Sequence, residues 1–209
     1  MNNVRKNMMV SAIATSLLLA ASAANANLIT NGGFEDPALG EDGWAYFDAS
    51  DVDGWSGSNV EIWRNYDERN AFEGEQFAEL NSHPGPGEDY SNFTLYQEFG
   101  TTVGNWYDFS FAYKARNDDA ESFRFEIGSD SSYLGSLIND HTTSDWSVHE
   151  GGFQANSEIS TIWFRSETDG TEGNFLDNVS VTARVPEPGT LALLGLGLVG
   201  LATRRRRAN

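Results

Sequence analysis

An antiparallel β-sandwich is the fold class this chain predicts, on three observations. Short runs of alternating apolar and polar residues recur throughout residues 27–184. Gly, Asn, Asp and Ser interrupt those runs at short intervals, and no segment spaces its apolar residues as an amphipathic helix does. Period-two runs bounded by turn residues mark strands, and many short strands without helices argue for a sandwich or barrel.

The elements follow in order. A first strand is expected in LITNGGFE, ending at Glu35. The next segment, EDPALGEDGWAYFDASDVDGWSGSN, reads as a long irregular loop with Trp44 and Trp55 embedded, either carrying binding function or covering one end of the core. VEIWRN sets Val60 and Ile62 on one face and Glu61 and Trp63 on the other, and EQFAELNS sets Ala78 and Leu80 against Phe77 and Glu79. NSHPGPGEDYSN, residues 81–92, is a loop rich in Pro and Gly. NFTLYQEF, then YDFSFAYKA with Tyr107, Phe109, Phe111 and Tyr113 in alternation, then SFRFEIGS and ISTIWFRS continue the pattern. FLDNVSVTA closes it, with Val179 and Val181 on one face. The runs amount to roughly nine to eleven strands.

Both ends of the chain read as processing segments. Arg5 and Lys6 precede the apolar run Met8 to Ala21, and Ala24-Asn25-Ala26 forms a small-x-small site, so residues 1–26 read as a secretory signal peptide. Residues 185–209 form a second such segment, which leaves 27–184 as one β-sandwich domain. That domain holds seven basic and 30 acidic residues, a net charge of −23. Such a body repels nucleic acid and anionic lipid, and suits export, solubility and divalent cations. There is no cysteine, which excludes thiolate metal sites, cysteine nucleophiles and disulfide scaffolds.

Catalytic motifs are absent from the sequence. The three histidines, His83, His141 and His149, stand in no H-E-x-x-H arrangement, and GWSGS lacks the closing glycine of a nucleophile elbow. DASDVDG aligns with a calcium loop only in part, since its first ligand position falls on Ala49 and its last on Val60. GLGLVG, residues 195–200, fits G-x-G-x-x-G, yet no acid follows it. The chain is therefore read as no enzyme.

Two groups of residues are candidates for binding. If the small aliphatics face the core, Glu61, Trp63, Phe77 and Glu79 form an outward aromatic and acidic stripe with Arg64 at its end. Aromatic rings against apolar sugar faces, with carboxylates meeting hydroxyls, would bind a glycan. Asp177 shares the parity of Phe175, Val179 and Val181, which points its carboxylate inward, where it needs a partner. In a sandwich whose terminal strands pair, Glu35 approaches it, and two carboxylates with backbone carbonyls suit calcium.

NLITNGGFE, GEQFAEL and FLDNVSV, in that order, resemble the galactose-binding-like jelly-roll domains, which include many carbohydrate-binding modules and domains of the DUF642 type. The resemblance implies a jelly roll and a structural calcium near the paired terminal strands, with Glu35 and Asp177 as side-chain ligands and carbonyls around Gly74 to Gln76 assisting. VPEPGTLALLGLGLVGLATRRRR resembles a PEP-CTERM sorting signal, with Pro186, Glu187 and Pro188, a short apolar helix and an arginine cluster. That resemblance implies an exosortase as partner and an exopolysaccharide-making host. Thr190 to Thr203 would span about 21 Å as a helix, a marginal transmembrane helix against a core of about 30 Å. Arg204 to Arg207 would stay cytoplasmic, which puts the acidic domain on the periplasmic side of the inner membrane before processing and at the cell surface or outside the cell afterwards.

The expected function is that of an exported, exosortase-processed surface or matrix protein with a non-catalytic, carbohydrate-binding sandwich and no nucleic-acid partner. The alternatives are a purely structural exopolysaccharide-matrix protein without a discrete site, and a polysaccharide-active hydrolase.

Overall fold

The computed structural model describes residues 26–83, 93–118, 120–129, 132–139 and 142–184. Residues 1–25 of the signal peptide expected over 1–26, the expected transmembrane helix and the tripeptide Pro186-Glu187-Pro188 lie outside the described residues. Residues 26–184 form a compact unit of their own.

The unit is all-β. Among the described residues its strands are β1 (Gly43–Phe47), β2 (Ser56–Gly57), β3 (Val60–Arg64), β4 (Gln76–Glu79), β5 (Thr94–Gly100), β6 (Trp106–Lys114), β7 (Phe123–Ser129), β8 (Ser132–Ile138), β9 (Ser147–Gln154), β10 (Ile159–Ser166) and β11 (Phe175–Ala183), with a 3-10 turn at Ala49–Asp51. A six-stranded sheet runs β1-β3-β4-β11-β6-β9 and a five-stranded sheet runs β2-β5-β10-β7-β8, with every pairing antiparallel. The antiparallel sandwich expected from periodicity, and the jelly roll that the resemblance implies, is what the chain adopts.

The alternation within each strand divides its side chains between the faces. Val60, Ile62, Ala78, Leu80, Tyr107, Phe109, Phe111, Phe125, Ile127, Ile162, Phe164, Val179 and Val181 turn inward and form one cluster between the sheets. Most of its ring pairs meet edge-on or tilted, as Phe111 does against Phe164 at 5.0 Å and 86°, while Phe34 stacks on Trp55 and Tyr107 on Phe153.

Three local expectations are corrected. The first strand does not form a ladder, because Asn31 and Phe34 adopt positive φ (51° and 55°) and break the extended run. The segment still lies along β11, through Leu28 N–H to the Val181 carbonyl and Val179 N–H to the Gly32 carbonyl, both 2.8 Å. The long irregular segment contains β1 and β2, because GWAYF has the alternation of an edge strand and pairs in full with β3. Of its two tryptophans, Trp55 is buried while Trp44 is exposed.

The third correction concerns β11. Phe175, Asp177, Val179 and Val181 do not share a face, because the register shifts between Asp177 and Ser180 and Asn178 takes a φ of 48°. A bulge inserts a residue and reverses the facing of everything beyond it. Phe175 lies on the outer face, whereas Val179 and Val181 lie in the main core.

Candidate glycan-binding face on the six-stranded sheet

The outer face of the six-stranded sheet holds the residues the sequence singles out, and it is only partly open. In register across β1, β3 and β4, Trp44 faces Trp63 and Trp63 faces Phe77, while Tyr46 faces Glu61 and Glu61 faces Glu79. The parity is as expected, opposite to the main core. The exposure is not. Trp63, Phe77, Glu61 and Glu79 are 2%, 0%, 2% and 0% exposed, so the stripe is no bare sugar platform.

A second apolar cluster covers these residues. Trp63, Phe77 and Phe175 pack together, with Ala71 and Trp146 against them. Phe77 and Phe175 meet edge-on at 4.8 Å, and Trp146 stands edge-on to Phe77 at 5.6 Å. The Trp146 indole N–H donates to the Asn70 carbonyl at 3.1 Å, which ties the start of β9 to the segment between β3 and β4. Arg64 belongs to that segment's anchorage and not to an open face: it donates to the Leu39 carbonyl and, at 2.6 Å, to Glu75. A loop folded back over aromatic residues is invisible to strand parity, which is why the sequence reading left the stripe in solvent.

The acids are closed off by an ion network. Arg116 donates from one nitrogen to both Glu79 oxygens, at 2.9 and 3.0 Å, and the Gly173 N–H donates to the same carboxylate at 2.8 Å. The guanidinium lies 4.9 Å from the centre of the Trp63 ring. Burial pushes the Glu79 carboxyl well up from the ordinary range; Arg116 pulls it back, and Glu61 opposite pushes it further up. Arg116 itself is held above its usual value, its own burial being outweighed by Glu79. His83 Nδ1 sits 2.8 Å from Glu61 Oε1. The His83 ring is stacked 5.6 Å from both Trp44 and Tyr46, two rings that remain 41% and 53% exposed.

Further along the same face lies an open groove of about 560 Å³ between β9, β6 and β11. Its floor is made of small residues: Ser110 and Ser180 share a hydrogen bond of 3.0 Å, and Gly151 and Gly152 stand on β9. A Cβ at Gly152 would lie 2.7 Å from Arg184 Nη2, so the glycine leaves room for that guanidinium. Arg184 donates through Nε to both Asp108 oxygens, at 3.1 and 3.2 Å, and covers one side of Trp106 at 5.4 Å. Its hydrogen bond holds the Asp108 carboxyl below the usual carboxylate range. Trp106 is 47% exposed, and Glu150 completes the polar lining. The groove itself is lined by carboxylates, hydroxyls and a guanidinium, and the exposed Trp106 indole lies against that guanidinium, outside the lining. Sequence reading missed it because β9, SVHEGGFQ, breaks its alternation at the glycine pair.

Glu35 and Asp177 meet at the segment between β3 and β4. Asp177 accepts the N–H groups of Phe72 and Glu73 at 2.8 and 3.0 Å, and Glu35 accepts those of Glu75 and Gln76 at 2.7 and 3.0 Å. Asp177 is buried, but beneath this segment and not within the main core, as a consequence of the β11 bulge. Burial raises its carboxyl to about 7; the three backbone N–H donors pull down, and the charge of Glu35 adds to the rise. Neither acid forms an ion pair with a basic side chain among the described residues. Glu75 and Gln76 contribute N–H donors to Glu35, where the resemblance implies carbonyl ligands. No group of three or more acidic or histidine side chains gathers among the described residues, so a cation here would complete its shell from backbone or water. Asp177 is buried and Glu35 is exposed, and in charge the two carboxylates suit a hard cation.

Comparison with known proteins bears on both parts of the chain. Residues 184–207 match the PEP-CTERM protein-sorting motif, the C-terminal sorting signal of exported proteins. No curated protein matches the chain. Among solved structures it is similar to TmCBM61 in complex with β-1,4-galactotriose, at a TM-score of 0.52 and 15% identity over 76% of this chain and 99% of that one. It is similar also to the CBM22-1 xylan-binding domain of Paenibacillus barcinonensis Xyn10C, at 0.45 and 15% over 78% and 97%. An Arthrobacter globiformis T6 isomalto-dextranase complexed with panose matches at 0.43 and 14%, over 66% of this chain and 23% of the enzyme. The described unit has the jelly-roll fold seen in carbohydrate-binding modules, and a PEP-CTERM sorting motif follows it.

Proposed function

We propose that residues 27–184 are a non-catalytic carbohydrate-binding domain on an exported protein that an exosortase recognises through residues 185–209 and releases from the inner membrane to the cell surface or the surrounding exopolysaccharide. The signal peptide over 1–26 and the net charge of −23 are in keeping with that destination. The observation that carries the reading is the groove between β9, β6 and β11, with the exposed Trp106 packed against Arg184 of its lining. An indole offers a flat apolar surface to a sugar ring, while Asp108, Glu150 and the serines offer acceptors and donors to its hydroxyls. The stripe of Glu61, Trp63, Phe77 and Glu79 serves this surface as support, with Trp44 and Tyr46 exposed at the edge strand.

A glycan array probed with residues 27–184 tests the proposal. Trp106→Ala is expected to weaken binding to the best glycan by about tenfold or more, roughly 1.4 kcal/mol, without changing the melting temperature. Loss with Trp44→Ala but not with Trp106→Ala would move the site to the edge strand. Absence of glycan binding together with calcium-dependent association would favour a purely structural matrix role. Turnover of a polysaccharide would overturn the non-catalytic reading.

Glu35 and Asp177 would hold a structural calcium ion, which supplies positive charge to a buried carboxylate that lacks a basic partner. Calcium is expected to raise the melting temperature of residues 27–184, and Asp177→Ala to remove the gain. Identical melting curves in calcium and in chelator would remove the ion from this account.

A further inference from the structure

We propose, resting on the reading of the groove between β9, β6 and β11 as the glycan site, that it selects an amino-sugar polymer whose nitrogens carry no acyl group over neutral and uronic acid polymers. Residues 27–184 hold seven basic side chains against 30 acids. Each of the six arginines, Arg64, Arg69, Arg116, Arg124, Arg165 and Arg184, lies in an ion pair with an acid of the same domain. The seventh, Lys114, is half-buried and does not line the groove. An anionic polymer therefore meets no exposed cation that is not already matched, and it must approach a body of net charge −23. A polymer that carries protonated amines is drawn in by the same field.

The groove repeats this imbalance at close range. Its outward residues fall in two rows across the sheet: Thr182, Asp108 and Gly152, then Ser180, Ser110 and Glu150. Arg184 is the only cation of the described lining, and Asp108 holds it through both carboxylate oxygens, at 3.1 and 3.2 Å from Nε. Glu150 is exposed and forms no ion pair among the described residues. It stands diagonally across from Asp108, a Cα separation of about 7–8 Å for such a pair. Between these two carboxylates lie hydroxyls and a glycine, none of which carries charge. A protonated amine brings three N–H donors and a full charge, and its hydrogen bond to a carboxylate is stronger than that of a neutral hydroxyl. A uronic acid in the same place sets its carboxylate against Glu150 while the guanidinium is engaged, which is repulsion built against the wrong ligand.

Residues 26–184 contain every described strand and both buried clusters, so this unit serves for the test. Titration calorimetry compares glucosamine oligomers of differing linkage with the same oligomers after N-acetylation, and with oligogalacturonate. The amine form is expected to bind about fivefold more tightly than its acetylated form, the size of one exposed charge pair, and the preference to fade as salt is raised. Oligogalacturonate is expected not to bind. Glu150→Gln should remove most of the preference, whereas Glu98→Gln, at an exposed acid on the five-stranded sheet, should leave it. Equal loss in the two variants would mean that diffuse charge sets the preference, and overturns the proposal. Equal or weaker binding of the amine form overturns it too, as does binding of oligogalacturonate with or without calcium. If neutral glycans still bind in those cases and Trp106→Ala weakens them, the groove stays a glycan site and only the selection falls. If no glycan binds in any form, both fall.

Discussion

Arg116→Met is expected to destabilise the domain by about 3–5 kcal/mol, the cost of leaving one member of a buried ion pair without its partner. Glu79 has no exposure, and Arg116 supplies two of the hydrogen bonds that its carboxylate accepts. The size of the loss depends on pH, and the sign follows from the direction of the Glu79 shift. A carboxyl raised in the folded state contributes most stability at low pH, and that contribution is lost as pH rises through the folded value. Without Arg116 the carboxyl can avoid an uncompensated charge only by keeping its proton. Chemical denaturation should therefore show a smaller loss at pH 5 than at pH 8. A loss of equal size at both would mean that Glu79 is not charged in the native protein.

Trp63→Ala is expected to cost about 3–5 kcal/mol, as for a buried aromatic residue cut to a methyl group. The ring is 2% exposed and touches Phe77, Phe175, Trp44 and Tyr66, with the Arg116 guanidinium over its face. Its indole N–H has no hydrogen-bond partner among the described residues. Trp63→Phe therefore gives up packing but no bond, and should cost far less than the alanine variant. If Trp63→Ala abolished glycan binding while leaving thermal stability intact, the residue would be a ligand contact and the closed second cluster would be wrong.

How far the sequence could be read depends on what each feature requires. Strands that alternate strictly and face one core, such as β6 with Phe109 and Phe111, declare themselves, since the pleat dictates the pattern. β8 is exposed along most of its length and β9 carries two adjacent glycines, so neither shows a buried face to read. The parity of Glu61, Trp63, Phe77 and Glu79 was legible, and their burial was not, because it depends on where residues 65–75 fold back. The position of Asp177 was expected for a reason the structure overturns: it is buried, but on the far side of a bulge that one sequence gives no sign of. The groove at Trp106 needs three strands that are distant in the chain and adjacent only in the sheet.

The reversal within β11 also bears on how the domain comes apart. Its leading residues hold Phe175 in the outer cluster, and its trailing residues hold Val179 and Val181 between the sheets, so one backbone segment runs through both hydrophobic bodies. Neither body can melt while the other keeps β11 in place without tearing the strand at Asn178. The small outer cluster, which alone would fray, thereby inherits the cooperativity of the larger one. Hydrogen exchange at Trp63 and Phe77 should then follow global unfolding rather than the faster opening typical of a surface loop.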